Sequence, residues 1–516
     1  MATSSIFNDV IGPVMRGPSS SHSAAACRIG LLLRDLMKGD ISHMSIDYDP
    51  NGSLVTTHES QGTDMGLYGG LLGWQADDHR MMDYKKHIDE SGINITVNYL
   101  SYDAKHPNNY RIRIGNDTIA HTLSAISTGG GMMEVQEIDA SEVCINGDYH
   151  ELLIYGAELE LIDKLLPALA CDFKLVHKSF IELKSADPFE ESLIEKIEGI
   201  PGVNNVCYLH PVLPILSRKD LEVPFLTCKD MMKLGQSQQL DLWQLAALYE
   251  SQRGGITEQE VLSKMMAIVQ VMRSGIEEGL KGTYYEDRIL PVQSLGFKDK
   301  MDGKQLLDGG MLNTIVLNTT AMMEVKSSMG VFVAAPTAGS CGALPGAIFG
   351  AAEKLGSSDQ EIVRALLAAG IMGVFISEHS TFAAEVAGCQ AETGAGGSMA
   401  AAGLVTLMNG TLEQCVAAAS LALQNSLGIV CDPIGNRVEA PCLGKNVMAA
   451  SNALSCANMA LANYEHLIPY DEVVQSMKEV GDMMAHELTC TGLGGLAATP
   501  TGKAIEAKLK EKAKYC

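Results

Sequence analysis

Three short segments carry thiols beside residues that keep the chain irregular: Gly388-Cys389-Gln390, Cys431-Asp432-Pro433 and Pro441-Cys442. Pro433, Gly435 and Pro441 stop the connection that holds Cys431 and Cys442 from continuing as helix. Cys389 comes from a separate loop ahead of a helix predicted over Ser398–Met408, so three thiolates can converge from irregular backbone. Such a set can ligate zinc or an iron–sulfur cluster. The spacing follows neither a CxxC pair nor a ferredoxin run, and purely structural cysteines are the alternative reading.

Two further segments suit an anion. In Gly17-Pro-Ser-Ser-Ser-His22, the hydroxyls of Ser19, Ser20 and Ser21 precede an apolar-periodic run, Ala24–Leu36, and offer side-chain and backbone donors at a helix start. The same residues would equally serve as an N-cap. The loop Ala335-Pro-Thr-Ala-Gly-Ser-Cys-Gly342 stands between an apolar strand and a helix and is suited to a carboxylate or is a plain turn. Ser127-Thr-Gly-Gly-Gly131 resembles a phosphate cradle only superficially; a connecting turn explains it as well.

The elements that must position these residues fall into three textures. Residues 1–147 mix alternating apolar runs with glycine turns and read as α+β. Residues 149–217 predict a strand at His150, a helix over Leu159–Leu166, one or two strands in Phe173–Lys184, a helix over Pro188–Ile197 and a strand over Val203–Leu209. That order suggests a ferredoxin-like module. Residues 224–516 are rich in Ala, Gly and Met, with helices predicted over Ile256–Glu277, Gln360–Ile376, Ser398–Met408, Thr411–Leu427 and Asn446–Leu461. The fold class is therefore multidomain α+β with a mostly helical last domain.

Composition bounds the partners. The 516 residues carry 38 Lys+Arg against 62 Asp+Glu, a net charge of −24, which argues against nucleic acid or an anionic membrane. At 46% hydrophobic and 19% charged residues, the chain folds rather than staying disordered. Met1–Asp9 is polar and reads as no signal peptide, and Ile362–Ile376 reads as too short and too near charges to span a bilayer. A cytoplasmic location is expected. Thirteen cysteines, an odd number, point to reduced thiols. Cys27, Cys144, Cys171, Cys207, Cys228, Cys415 and Cys456 lie in regular runs and read as packing; Cys341, Cys389, Cys431, Cys442, Cys490 and Cys516 sit among Gly, Pro and polar residues.

Taken in order, these motifs resemble the iron–sulfur L-serine dehydratases. The beta-chain signature is matched by Ile11–His22, and the alpha-chain signatures by Ala335–Gly342, Gly388–Glu392, Cys431–Pro433, Pro441-Cys442 and Gly494–Gly502. The resemblance covers nearly the whole chain and implies beta-type (1–147), ACT-type (149–217) and alpha-type (224–516) regions fused in that order. It implies that Cys389, Cys431 and Cys442 ligate a [4Fe–4S] cluster at the beta–alpha interface, leaving one iron open as a Lewis acid for a substrate hydroxyl. Ser19, Ser20, Ser21, Thr63, Asp64, Thr337, Ala338, Gly339 and Ser340 would bind a small amino-acid substrate. His22 would orient it or transfer a proton, with His58 and His379 as alternatives. A homodimer is expected.

The chain also departs from the family pattern. Where the family has Gly-His-Gly/Ala-Thr-Asp, Ser60-Gln61-Gly62-Thr63-Asp64 stands, and Gln61 cannot act as a base near neutral pH. Thr489-Cys490-Thr491 replaces Arg-Glu-Thr, and His379–Ala384 replaces Asn-Ala-Ser-Ile-Ser-Gly. Gly156-Ala-Glu stands where an ACT domain has its acidic-and-glycine turn, which bears on effector binding. Cluster binding is expected to survive these changes, while the substrate stays open to another β-substituted amino or hydroxy acid. A pyridoxal-phosphate lyase or a non-catalytic binding protein is the distant alternative. In some members a terminal cysteine occupies the open iron, which would make Cys516 a tethered fourth ligand here; its long polar tail, unlike the short tails of those members, favours a frayed end with an exposed thiol.

Overall fold

Apolar and polar residues alternate along His43–Tyr48, Asn109–Gly115 and Ala120–Gly129, and the inward residues Met44, Ile46, Ile112, Ile114, Leu123 and Ala125 are buried. In the computed structural model, which describes residues 3–166, 171–286 and 288–512, these strands belong to a six-stranded sheet. Its order is Asn94–Tyr99, His43–Tyr48, Asn109–Gly115, Ala120–Gly129, Met132–Ile138 and Ser141–Ile145, with only the first pair parallel. Ala25–Leu36 and Thr63–Leu71 cover its apolar face with Ile29, Leu32, Leu33, Leu67 and Leu71. The two helices touch through backbone. A Cβ on Gly66 would lie 1.9 Å from the Ser23 carbonyl oxygen, and one on Gly70 2.2 Å from that of Cys27.

Residues 150–209 run strand, helix, strand, strand, helix, strand, and the four strands pair antiparallel in the order Val203–Leu209, His150–Gly156, Phe180–Ser185, Phe173–Val176. Both faces are buried. Leu152, Ile154, Ile181 and Leu183 pack with Ile162 and Ile197 of the helices Leu159–Leu165 and Glu191–Glu198. Leu153, Phe180, Cys207 and Leu209 point the other way, into the core of the six-stranded sheet. This shared core makes Ser21–Leu221 one compact unit, across the change of texture near residue 148. Cys144 is exposed and Cys171 partly so, correcting their reading as core packing; Cys144 falls on the outward register of Ser141–Ile145, the edge strand.

The second unit joins the described residues up to Ser20 to those from Glu222 on. The amino-terminal segment is held there by polar anchors: Ile6 N donates to Glu250 Oε2 at 2.7 Å and Tyr249 Oη to the Ser4 carbonyl at 2.9 Å. Val14–Met15 then pairs antiparallel with Phe332–Val333. The rest is helical. Asp359–His379 is capped by a reciprocal Ser358–Glu361 pair and runs 21 residues, with mean hydropathy 1.5 over its best window. It is thus long and apolar enough to cross a membrane, which corrects the expectation that this stretch is too short. Within the fold 78% of that window is buried, as in a core helix. Cys442–Leu461 starts four residues ahead of the predicted helix, because Pro441 stands before its first turn, where its missing N–H costs nothing. The last helix described is Pro500–Lys512, so Cys516 lies outside the described residues.

Candidate active site: a buried thiol cluster

Cys389 follows Gly388, whose φ of +70° and crowded Cα leave no room for a side chain: a Cβ there would lie 2.8 Å from the Ile429 carbonyl oxygen. The turn Gln390–Gly394 after it is π-helical and runs into Ala395–Leu407, so the helical path begins earlier than the sequence suggests. Gln390 N donates to Ile429 O at 3.0 Å, and the Gln390 side chain bridges Met477 O and Gly428 N. These bonds bring Cys389 beside Cys431. Cys431 is in turn bridged to Thr489, its N–H donating to Leu488 O at 2.8 Å.

The sulfurs of Cys389 and Cys431 and a carboxylate oxygen of Glu392 all lie within 4.8 Å of one another. Cys442, buried at the start of its helix, interacts electrostatically with Cys389 and Glu392. Burial holds the Cys442 thiol well above its ordinary value, with the Cys389 charge acting in the same direction. Cys431 is likewise raised, first by its contacts with the Cys389 and Cys490 sulfurs and then by burial. Two ammonium groups oppose this. Lys445 Nζ lies 3.8 Å from Cys389 Sγ while donating to Asp432 Oδ1 and Val430 O, both at 2.6 Å. Lys326, fully buried, donates to the Val438 carbonyl and draws the Cys442 thiol down. Buried thiols gathered beside two cations suit an anionic metal–sulfur group, whose binding would displace the thiol protons.

The second loop joins this cluster directly. Thr337 Oγ1 donates to Glu392 Oε1 at 2.6 Å, and a Cβ on Gly339 would lie 2.7 Å from the same oxygen. Burial pushes the Glu392 carboxyl up to about 7, partly opposed by the Thr337 hydrogen bond. Asn446, one turn beyond Cys442, accepts from Gly342 N and Ala343 N and donates to Gly339 O and Cys442 O. It ties the Ala335–Gly342 loop to the cysteine helix. Ser340 is buried, and its hydroxyl closes the loop onto the Ala335 carbonyl. Ala338 N donates to Ser20 Oγ at 3.3 Å, so Ser20 belongs with this loop, and Ser19 lies in the same unit. Cys341 is a core thiol, pushed up to about 12 by burial. Glu392, Lys445 and Asn446 were missed as functional residues; their spacings of three from Cys389 and three and four from Cys442 were the available signal.

Ser21, His22, Thr63 and Asp64 lie in the other unit. His22 is buried, its Nε2 is 3.0 Å from Thr57 Oγ1, and burial lowers it to about 4. Thr63 is buried beside Tyr110. Asp64 binds His58 Nδ1 at 2.8 Å, while His58 Nε2 meets Tyr99 Oη at 2.9 Å. Burial would lower His58, but Asp64 more than offsets it and holds His58 above its ordinary value. Gln61 is buried, its carbonyl accepting from Ser23 Oγ. His379 is exposed, with Nε2 on the Leu226 carbonyl at 2.8 Å.

The profile of the serine dehydratase alpha chain matches residues 237–497, just over half of the 516. A probable L-serine dehydratase alpha chain of Bacillus subtilis (strain 168) is 34% identical over 285 residues, covering 55% of this chain and 95% of its own length. An L-serine dehydratase alpha chain of Peptoniphilus asaccharolyticus is 35% identical, covering 54% and 96%. An L-serine dehydratase of Streptomyces coelicolor is 26% identical over 495 residues, covering 93% and 96%, so one relative carries both regions in a single chain as here. With Cys389, Cys431, Cys442, Glu392 and the Thr337–Ser340 loop inside the matched residues, the chain belongs to the L-serine dehydratase family.

Proposed function

We propose that this protein is an iron–sulfur-dependent L-serine ammonia-lyase. L-serine loses its α-proton and β-hydroxyl as water, and the resulting enamine hydrolyses to pyruvate and ammonia. The observation that carries this reading is the convergence of Cys389, Cys431 and Glu392, with Cys442 interacting electrostatically with Cys389 and Glu392 and Thr337 bonded to Glu392. Cys389, Cys431 and Cys442 would hold a [4Fe–4S] cluster. When bound, such a cluster supplies Lewis-acid character that helps a poor leaving group depart.

The chain's own residues do the remainder. Ser20 and the Thr337–Ser340 loop receive the substrate carboxylate, and burial of the site excludes bulk water. The Thr337 hydroxyl fixes one oxygen of Glu392 and so sets where its other oxygen points. Lys445 and Lys326 offset the negative charge gathered around the thiols. His22 is kept as the candidate for orienting substrate or moving a proton; burial lowers it to about 4, so it is neutral near pH 7 and a weaker base than a free imidazole. The strand order of residues 150–209 supports a ferredoxin-like, ACT-type module. The reading also includes a cytoplasmic homodimer.

A second reading, a lyase for another β-substituted amino or hydroxy acid, is favoured by Thr489 and Cys490, which depart from the family pattern directly beside Cys431. One anaerobic experiment tests both. Purified protein is expected to contain iron and sulfide, to absorb broadly in the visible and to release pyruvate and ammonia from L-serine. A sharp yellow aldimine band, or no iron and sulfide, overturns the iron–sulfur reading. Turnover of another member of a β-substituted panel, with none of L-serine, selects the second.

A further inference from the structure

Apart from the thiol cluster, helices of the second unit line a cavity of about 370 Å³. That lies within the roughly 300–1,000 Å³ range of small-molecule sites. Two of its walls have the same helical spacing. Glu258–Gly279 and the residue after it present Arg273, Ile276, Glu277 and Leu280, at positions i, i+3, i+4 and i+7. Ala343–Leu355 and the residue after it present Phe349, Ala352, Glu353 and Gly356 at the same intervals. Each wall thus turns one face to the cavity, and each face carries one carboxylate.

The charges around this cavity do not cancel. Arg273 lies over the Phe349 ring, 5.3 Å from its centre, and its charge is taken by Asp359, to which Gln270 Nε2 also donates at 3.0 Å. Glu277 and Glu353 are exposed. Among the described residues Glu277 has no cationic partner, and Glu353 has only Lys354, at 3.9 Å. The mouth therefore favours a cation. The interior differs: Asn318, from Met311–Ser327, lines the cavity at 4% exposure, and among the described residues its side-chain amide makes no hydrogen bond. Burying an amide with neither its N–H nor its C=O paired is costly, so Asn318 suits a ligand group that donates and accepts. Ile276, Phe349 and Ile362 are buried and supply apolar surface for a ring.

We propose that this cavity binds a small organic cation with a ring-sized apolar body. An ammonium group at one end meets Glu277 and Glu353, and a hydroxyl or amide at the other end pairs with Asn318. The same two acids turn away an anion of that shape. Binding involves neither the thiols nor the Thr337–Ser340 loop, so the proposal stands or falls independently of the iron–sulfur reading.

The test titrates tyramine into the full-length protein, purified anaerobically, by isothermal calorimetry. Two comparison probes separate its parts: phenethylamine lacks the hydroxyl, and 4-hydroxyphenylacetate carries a carboxylate in place of the amine. Tyramine is expected to bind one to one with a Kd on the order of 0.1–1 mM, the scale for a ligand of about ten heavy atoms. Phenethylamine should bind about fivefold more weakly, as for one neutral hydrogen bond lost, and the anion should not bind. The double variant E277Q/E353Q, changed only at exposed positions, should weaken both amines by about fivefold. N318A should bring tyramine to the level of phenethylamine and leave phenethylamine unchanged. Any one of four results overturns the proposal: no saturable binding of tyramine, an anion that binds as tightly, phenethylamine equal to tyramine on the wild type, or wild-type affinity in both variants. Should N318A not fold, the three probes on the wild type and on E277Q/E353Q decide.

Discussion

Thr337 Oγ1 lies 2.6 Å from Glu392 Oε1, joining a loop that starts a helix to a turn that carries a thiol, 55 residues further along the chain. Through this bond the Thr337–Ser340 loop and Cys389 cannot move independently. Replacing Thr337 by Val removes the donor and keeps the shape. Serine turnover is expected to fall about tenfold to a hundredfold, the scale of losing a hydrogen bond to a charged group. Iron and sulfide content should stay at the wild-type level, and a variant that loses its iron would show the bond to be structural.

Cys389, Cys431 and Cys442 are expected to fail together. Serine at any one of them should remove iron and turnover in parallel, measured as metal content and pyruvate release on the same preparation. One variant that keeps full iron, sulfide and turnover would remove that cysteine from the ligand set.

Lys445 is bonded to Asp432 and stands beside Cys389. Changing Lys445 to Met leaves the buried Asp432 carboxylate without its cation, a loss of about 3–5 kcal/mol for a buried pair broken on one side. The thermal midpoint of the unit should drop by several degrees, and iron content with it. K445R restores charge without the fit and should recover part of both.

His22 makes stability depend on pH. Its folded value, about 4, lies below the unfolded one, so between the two values the unfolded chain binds the extra proton. The stability tied to neutral His22 is complete above about pH 6.5 and is lost as pH falls towards 4, by about 2–3 kcal/mol at pH 4.5. His22→Asn should flatten that loss in urea titrations at pH 7 and 4.5. The same variant tests the chemistry: kcat/KM within a factor of a few of wild type would take His22 out of proton transfer.

Gly66 and Gly70 permit the crossing of Ala25–Leu36 and Thr63–Leu71. Alanine at either position drives a methyl into carbonyl oxygen of the facing helix. It should cost about 1–3 kcal/mol or more, seen as a lowered denaturation midpoint of the Ser21–Leu221 unit. Gly444→Ala, inside the helix Cys442–Leu461 where a Cβ would meet nothing within 4 Å, is the control for the helical backbone alone.

What could be read along the chain was what local rules encode. Glycine, proline and hydrophobic period marked the strand and helix order of residues 150–209, the Ala335–Gly342 loop and the irregular backbone around Cys431 and Cys442. Those signals act over a few residues, so they survive without tertiary context. Local rules could not place the segment before Ser20, because its partner Glu250 lies some 245 residues away. Nor could they pair Thr337 with Glu392, Lys445 with Asp432, or Cys490 with Cys431. Each of these depends on which loops the packed helices bring together, and on burial that only the folded core supplies. Length and apolarity alone could not settle the role of Asp359–His379, which is long and apolar enough for a membrane; only packing shows that 78% of its most apolar window is buried within the fold. Residue type named the chemistry available at the site; tertiary packing chose the thiols, the carboxylate and the cations that share it.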